Sequence, residues 1–314
     1  MKILVTGGAG FIGSHLCDRL LDRGHRVVCL DNFNDFYDPK IKRANIVAAL
    51  RSSSYTLAKG DILDTAFLDE VFAESFDVVV HLAAYAGVRP SILNPSLYQK
   101  VNLEGTVNLL EQCRRHNIMK FVFASSSSVY GGRTEVPFRE TDNIMNPISP
   151  YAATKAAGEA ICYSYYHLFG IQMHLLRFFT VYGPRQRPEM AIHLFSEAMR
   201  QGKPIRLFGD GESSRDYTYI DDIIDGVTAC TEHCEGFHVL NLGGSRTTSL
   251  KRLVEMISSE MGETPIIDWQ PNQPGDVPIT FADVTEAKAV VGYEPKVPIE
   301  EGIRRFCIWK KAQS

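Results

Sequence analysis

Tyr151 and Lys155 stand four residues apart in Ser149-Pro150-Tyr151-Ala152-Ala153-Thr154-Lys155, a spacing that stacks both side chains on one face of a helix. The chemistry open to such a pair is proton transfer. A free phenol titrates near pH ~10, and a neighbouring ammonium favours the phenolate. Bringing it to about 7 takes roughly 4 kcal/mol of differential stabilisation, within reach of a partly desolvated site. A phenolate beside a nicotinamide can take the proton of an alcohol while the ring takes its hydride. On these two residues alone, a tyrosine at a helix end beside a solvated lysine is the plainer reading. The rest of the chain reverses it.

Short apolar strands alternate with amphipathic helices from the first residues. Strands are expected at Ile3 to Val5, Arg26 to Leu30, Tyr55 to Ala58, Val78 to Leu82, Phe121 to Ala124 and Met173 to Phe178. Ile12, Leu16 and Leu20 form one stripe at helical spacing. This rhythm predicts an α/β fold with a Rossmann-type, doubly wound parallel sheet. After Thr180 prolines and glycines crowd in, as at Gly183-Pro184, Pro188, Gly209, Gly211 and Pro274-Gly275. A smaller, loop-rich substrate domain is expected there. The division predicted is 1–180 for the nucleotide and 181–314 mainly for the substrate, interleaved with the sheet near 217–243, because Phe237 to Leu242 reads as a returning strand.

Thr6-Gly7-Gly8-Ala9-Gly10-Phe11-Ile12-Gly13 follows the first strand and opens the first helix. Glycines there let the backbone approach a pyrophosphate, and the helix N-terminus favours its charge. The next strand ends at Asp31, which can accept both ribose hydroxyls and would repel a 2′-phosphate. Asn32, Phe33 and Asn34 follow, with no arginine among them. NAD is therefore expected over NADP.

The composition, 45% hydrophobic and 22% charged over 314 residues, suits a globular chain. A net charge of -4 points to neither nucleic acid nor an anionic membrane as partner. No apolar run approaches a membrane span, and the opening strand leaves no leader to expect. Seven scattered cysteines read as reduced thiols in a cytoplasm. Cys230, His233, Cys234 and His238 match no common zinc spacing, so no metal is expected.

Taken with His81-Leu82-Ala83-Ala84, these motifs resemble the extended short-chain dehydrogenase/reductase family, and within it the NAD-dependent nucleotide-sugar 4-epimerases. The resemblance runs nearly end to end. It implies cofactor contacts from Gly7, Gly10, Phe11, Ile12, Gly13, Asp31 and Asn32, from Asp61 and Ile62 at the adenine, from Leu82, Ala83 and Ala84, and from Asn102, Tyr151 and Lys155. In Ser125-Ser126-Ser127-Ser128-Val129-Tyr130-Gly131 it makes Ser126 the hydroxyl that shares the sugar O4 with Tyr151. Related dehydratases carry acidic residues in this segment, and related decarboxylases commonly have glutamate where Ser128 stands. Neither chemistry is favoured.

Gly209-Asp210-Gly211 with Arg215-Asp216 resembles the family's diphosphate anchor, with Arg215 as candidate and Asp276 near the uridine ribose. Thr180-Val181-Tyr182-Gly183-Pro184-Arg185-Gln186-Arg187-Pro188 is most like the UDP-glucuronate 4-epimerases. Arg187 could then bind a hexuronate carboxylate, helped by hydroxyls of Ser127, Ser128 and Thr180, with Arg89 a further anion contact. The reaction implied is UDP-glucuronate to UDP-galacturonate through a 4-keto sugar. UDP-glucose/UDP-galactose epimerisation is the competing enzyme reading, and an NAD-sensing regulator the non-enzyme one, though a regulator has no need of Tyr151 and Lys155. Tyr163, Tyr165 and Tyr166 suggest a homodimer built on helices near Leu97 to Arg115 and Tyr151 to Phe169.

Overall fold

The computed structural model describes residues 1–271 and 277–313. Strands β1 (Lys2–Thr6), β2 (Arg26–Asp31), β3 (Tyr55–Lys59), β4 (Val78–His81), β5 (Lys120–Ser126) and β6 (Gln172–Phe178) lie parallel in one sheet. Each expected strand is present, lengthened or shortened at its ends; Leu82 falls just past β4 but still donates its N–H to the Thr6 carbonyl at 3.1 Å.

Strands buried on both faces need apolar residues at every position, not at alternate ones. Ile3 and Val5 accordingly point into one core layer and Leu4 into the other, and Val78, Val80 and Val79 divide the same way. One layer is filled from helix α1 (Phe11–Asp22) by Leu16, Cys17 and Leu20. The opposite layer takes Phe72 from α3 (Thr65–Phe72), with α2 (Pro39–Asn45) lying between α1 and α3 in the chain. Past the short α4 (Val88–Leu93) and α5 (Pro95–Gln99), α6 (Gly105–Arg115) and α7 (Pro150–Phe169) complete that opposite face with Leu109, Leu110 and Cys162.

Beyond β6 come β7 (Thr180–Tyr182), α8 (Ala191–Arg200), β8 (Pro204–Phe208), β9 (Ser214–Arg215), β10 (Tyr217–Tyr219) and α9 (Ile220–Glu232), then β11 (Phe237–Leu242), β12 (Thr248–Ser249), α10 (Leu250–Met261), β13 (Ile266–Gln270), α11 (Thr285–Val291) and α12 (Ile299–Lys311). The main sheet runs β11-β6-β5-β4-β1-β2-β3, so the chain does return to it at Phe237–Leu242. The remaining strands pair in twos, β7 with β10, β8 with β13 and β9 with β12. Strand order reverses between β1 and β4, and the crevice beyond the carboxyl ends at such a switch point is where ligands of open α/β sheets bind.

Candidate active site

A cavity of about 380 Å³ opens at that crevice. Its floor is backbone. Gly7 has φ +67°, and a Cβ there would lie 2.8 Å from the Ala83 nitrogen on the neighbouring strand end; one on Gly13 would lie 2.2 Å from the Gly7 carbonyl. No side chain caps α1 at Gly10, so the first-turn N–H groups of Phe11, Ile12 and Gly13 remain available at the cavity wall. Asp31 is buried, accepts from the Ala9 N–H at 3.2 Å and the Phe33 N–H at 2.8 Å, and lines the same cavity. Asn32 donates to Asp61 at 2.8 Å, which brings both to the wall beside Ile62, opposite Leu82, Ala83 and Ala84. A close-approach glycine floor, an uncapped helix start and a buried carboxylate fit a dinucleotide: anion at the helix, ribose at Asp31.

Two elements bring the proton-transfer residues to the far wall. Ser149 caps α7 by accepting from the Ala152 N–H at 3.1 Å, and Pro150 takes the first helical position, which sets Tyr151 in the opening turn with Lys155 one turn on. Strand β5 ends at Ser126, whose hydroxyl accepts from the Ser128 N–H at 3.2 Å and the Ser128 hydroxyl at 2.8 Å. With both inward bonds accepted, its own proton is left to donate. Ser126, Ser127, Ser128, Tyr151 and Lys155 share the cavity wall.

The electrostatics differ from the sequence expectation in one respect. The Lys155 ammonium donates to the Ala124 carbonyl at 2.7 Å and lies 5.0 Å from the centroid of the Phe123 ring. Burial lowers it to about 8. Burial also raises the Tyr151 phenol, and the groups opposing that rise are a hydrogen bond with Ser126 and the Arg187 guanidinium. Desolvation outweighs these cationic and hydrogen-bonded neighbours, so the phenol is not depressed as the four-residue spacing suggested.

Thr180 and Arg187 reach the cavity from the loop-rich half. Arg187 lies 5.8 Å from the Phe36 ring centroid and pairs with Glu189, its Nε 3.2 Å from a carboxylate oxygen. Glu189 lines a second cavity of about 970 Å³, along with Arg89, Phe208 and Arg215. There the Arg89 guanidinium sits 4.5 Å from the Phe208 ring centroid. Arg185, a neighbour of similar type, is spent elsewhere: it donates to Asp18 of α1 at 2.7 Å. Asp276 lies outside the described residues.

Two residues lie where their sequence neighbours alone do not place them. Asn102 does not reach the cavity wall. It sits buried behind it, bonded to the Tyr85 N–H and carbonyl at 2.9 and 3.0 Å and to the Thr154 hydroxyl at 3.1 Å. Lys42 was missed. The sequence offers no cation immediately after Asp31, yet α2 carries Lys42 back to it, 3.7 Å from a carboxylate oxygen, with both side chains buried. It also donates to Asn34 at 2.8 Å and lines the cavity. The available signal was Asp38-Pro39, a helix start whose Asp38 side chain accepts from the Lys40 N–H.

Comparison with known proteins agrees with this geometry. The model of the NAD dependent epimerase/dehydratase family matches residues 3–243. A UDP-glucuronate 4-epimerase of Thermodesulfobacterium geofontis is 40% identical over 310 residues, covering 98% of this chain and 95% of that protein. The crystal structure of UDP-glucuronic acid 4-epimerase from Bacillus cereus with UDP-glucuronic acid and NAD superposes with a TM-score of 0.92 at 37% identity, covering 100% of both chains. A UDP-glucose 4-epimerase of Thermotoga maritima with UDP-glucose gives 0.91 at 33% identity, covering 100% of this chain and 99% of that one.

Proposed function

Because the chain belongs to the NAD dependent epimerase/dehydratase family, we propose that it catalyses NAD-dependent 4-epimerisation of a UDP-hexuronate, interconverting UDP-glucuronate and UDP-galacturonate. The observation that carries this reading is the meeting of Tyr151, Ser126 and Arg187 on one cavity, with Arg187 near enough to favour ionisation of the phenol. A sugar with O4 at Tyr151 bears its carboxylate on the next ring carbon but one from that oxygen, within reach of the same arginine.

Gly7, Gly13 and the first turn of α1 would hold the dinucleotide phosphates, with Asp31 on the ribose. Bound NAD supplies an acceptor for the C4 hydride and returns it, so no outside oxidant is needed. Favoured as a phenolate by Arg187 and by the positive charge of bound NAD, Tyr151 takes the O4 proton while Ser126 donates to the same oxygen. The sugar passes through a 4-keto form, turns about its diphosphate, and receives the proton back from Tyr151. That ketone lies β to the carboxylate, and Arg187 with Thr180 holds the carboxylate out of alignment with it, suppressing loss of carbon dioxide. Arg89, Arg215 and Asp276 are assigned to the nucleotide end.

Chromatography of the NAD-loaded protein's products from UDP-glucuronate tests the reading, with UDP-galacturonate expected. Interconversion of UDP-glucose and UDP-galactose alone would replace it with the neutral-sugar reading. Carbon dioxide release matching turnover would sink the role of Thr180 and Arg187.

A cytoplasmic homodimer is part of the same reading. It is supported by seven buried free cysteines and by Tyr163, Leu168 and Phe169 exposed on α7 beside α6. Among the described residues no helix is long and apolar enough to cross a membrane. Sedimentation of a monomer at micromolar concentration would count against the dimer.

A further inference from the structure

A buried ion pair lies directly behind the proton-transfer residues. Arg177 of β6 donates to Glu159 of α7 through Nη2 at 2.7 Å and Nε at 2.9 Å, the side chains 3% and 6% exposed. Its Nη1 donates to the Tyr130 hydroxyl at 3.0 Å and the Glu140 carbonyl at 3.1 Å. Glu159 also accepts from the Ser125 hydroxyl. Replacing a buried ion pair by apolar residues of like volume is often neutral or stabilising, so adhesion of helix to sheet does not account for the charges.

Their location does. Tyr151, Lys155 and Glu159 follow one another at four-residue intervals along α7 and share its inner face. Ser125 lies between Ala124, whose carbonyl holds the Lys155 ammonium, and Ser126. One carboxylate thus ties the helix that carries the base to the strand end that carries its partners. We propose that Glu159 and Arg177 are positioning residues, fixing through Ser125 the strand end that orients Lys155 and Ser126. This rests on reading Tyr151, Lys155 and Ser126 as the proton-transfer set.

Glu159 has a second effect, since after Cys162 its carboxylate opposes the desolvation of Lys155. The other chargeable groups around Lys155 are Tyr151 and Cys162 on its own helix, His81 on β4 and, beyond Glu159, Arg177 on β6. Burial holds His81 down to about 3 and pushes the Cys162 thiol and Tyr151 phenol up. With the thiol and the phenol protonated at pH ~8, Glu159 is the carboxylate that favours the lysine cation, its charge shared with Arg177.

The test uses NAD-loaded Ser125→Ala, Glu159→Gln and the double variant Glu159→Gln/Arg177→Met. Four quantities are read: kcat, KM, melting temperature, and the titration of Lys155 by NMR of isotope-labelled lysine, assigned with Lys155→Met. Ser125→Ala leaves the ion pair whole and is expected to fold with a melting temperature lowered by a few degrees and to keep its KM while kcat falls by roughly threefold to tenfold, the worth of one hydrogen bond. Glu159→Gln should move the Lys155 midpoint down. The double variant contains no unpaired buried charge and tests the positioning through kcat should the single variant fail to fold, since loss of the Arg177 cation offsets loss of the carboxylate at Lys155. A Lys155 midpoint unchanged in a folded Glu159→Gln single variant, or a kcat equal to wild type in Ser125→Ala or in the double variant, overturns the proposal. The NMR titration needs no sugar, so a wild-type protein inactive on UDP-hexuronates would fail the functional reading and leave this one decidable.

Discussion

The two ends of the cavity are built by different means. At the dinucleotide end the wall is backbone and short side chains: Gly7 against Ala83, Gly13 against Gly7, the uncapped start of α1. At the sugar end it is a long side chain on a loop, Arg187, whose partner Glu189 leads to the second cavity, where α4 and two-stranded ribbons bring Arg89, Phe208 and Arg215 from segments far apart in the chain. Backbone recognition demands glycine at particular turns and a helix that begins where the strand stops. Side-chain recognition demands only that some loop deliver a charge.

Tyr151 stands where the two ends meet, and its loss should have the largest effect. Tyr151→Phe removes one oxygen and no packing, so the protein should fold and bind NAD while kcat falls roughly 10²–10⁴-fold, the range of general acid–base contributions. Epimerisation near the wild-type rate would reject the phenol as the base. Next in size is Arg187→Ala, which should lower UDP-glucuronate turnover by roughly tenfold or more, since a charge-assisted bond contributes about 1.5–3 kcal/mol. Residual activity on UDP-glucose should change less. Arg187→Lys should recover only part, having charge without the planar fork. Equal losses on both sugars would make Arg187 a diphosphate or structural residue.

The same contrast explains what was legible in the sequence. Inner strands announced themselves because double burial writes consecutive apolar residues, as in Ile3-Leu4-Val5 and Val78-Val79-Val80, and the strand–glycine–helix order around Gly7 to Gly13 is local. Tyr151 and Lys155 were legible because a single helix sets their relation. Three things were hidden by tertiary structure. Asn102 is consumed by Tyr85 and Thr154, partners many residues away in the chain. The Lys155 ammonium turns to Ala124, and desolvation raises the phenol instead of lowering it. Arg177 and Glu159 meet only because β6 passes beneath α7.

A smaller effect follows from the depressed lysine. If the reaction needs the Lys155 cation, kcat should fall as pH rises through about 8, reaching about a tenth of its plateau one unit above. Stability should move the opposite way. Between about 8 and the ordinary value of 10.5 the unfolded chain carries more protons at this residue than the folded one, so the unfolding free energy from Lys155 rises with pH across that window. Melting curves of wild type minus Lys155→Met should show this rise, and a flat difference would mean that the lysine is not desolvated.

The smallest effect sharpens the comparison most, because Lys42 is a side-chain reader at the backbone end. Asp31 alone excludes a 2′-phosphate by charge, but a buried ammonium 3.7 Å away offsets part of that repulsion. A ribose hydroxyl can donate to the carboxylate and accept from the amine, so Lys42→Met should weaken NAD binding by about twofold to tenfold, one hydrogen bond's worth. It should weaken NADP binding more, because the 2′-phosphate loses its nearest cation. Asp31→Ala should lower NAD affinity and, with Lys42 still present, narrow the gap between NAD and NADP. The double variant Asp31→Ala/Lys42→Met should not narrow it. Calorimetric titration of both nucleotides into all four proteins decides the matter without any sugar. If Lys42→Met leaves both affinities unchanged, the lysine serves only Asn34 and the ring of Tyr37, and the dinucleotide end is read by backbone and Asp31 alone.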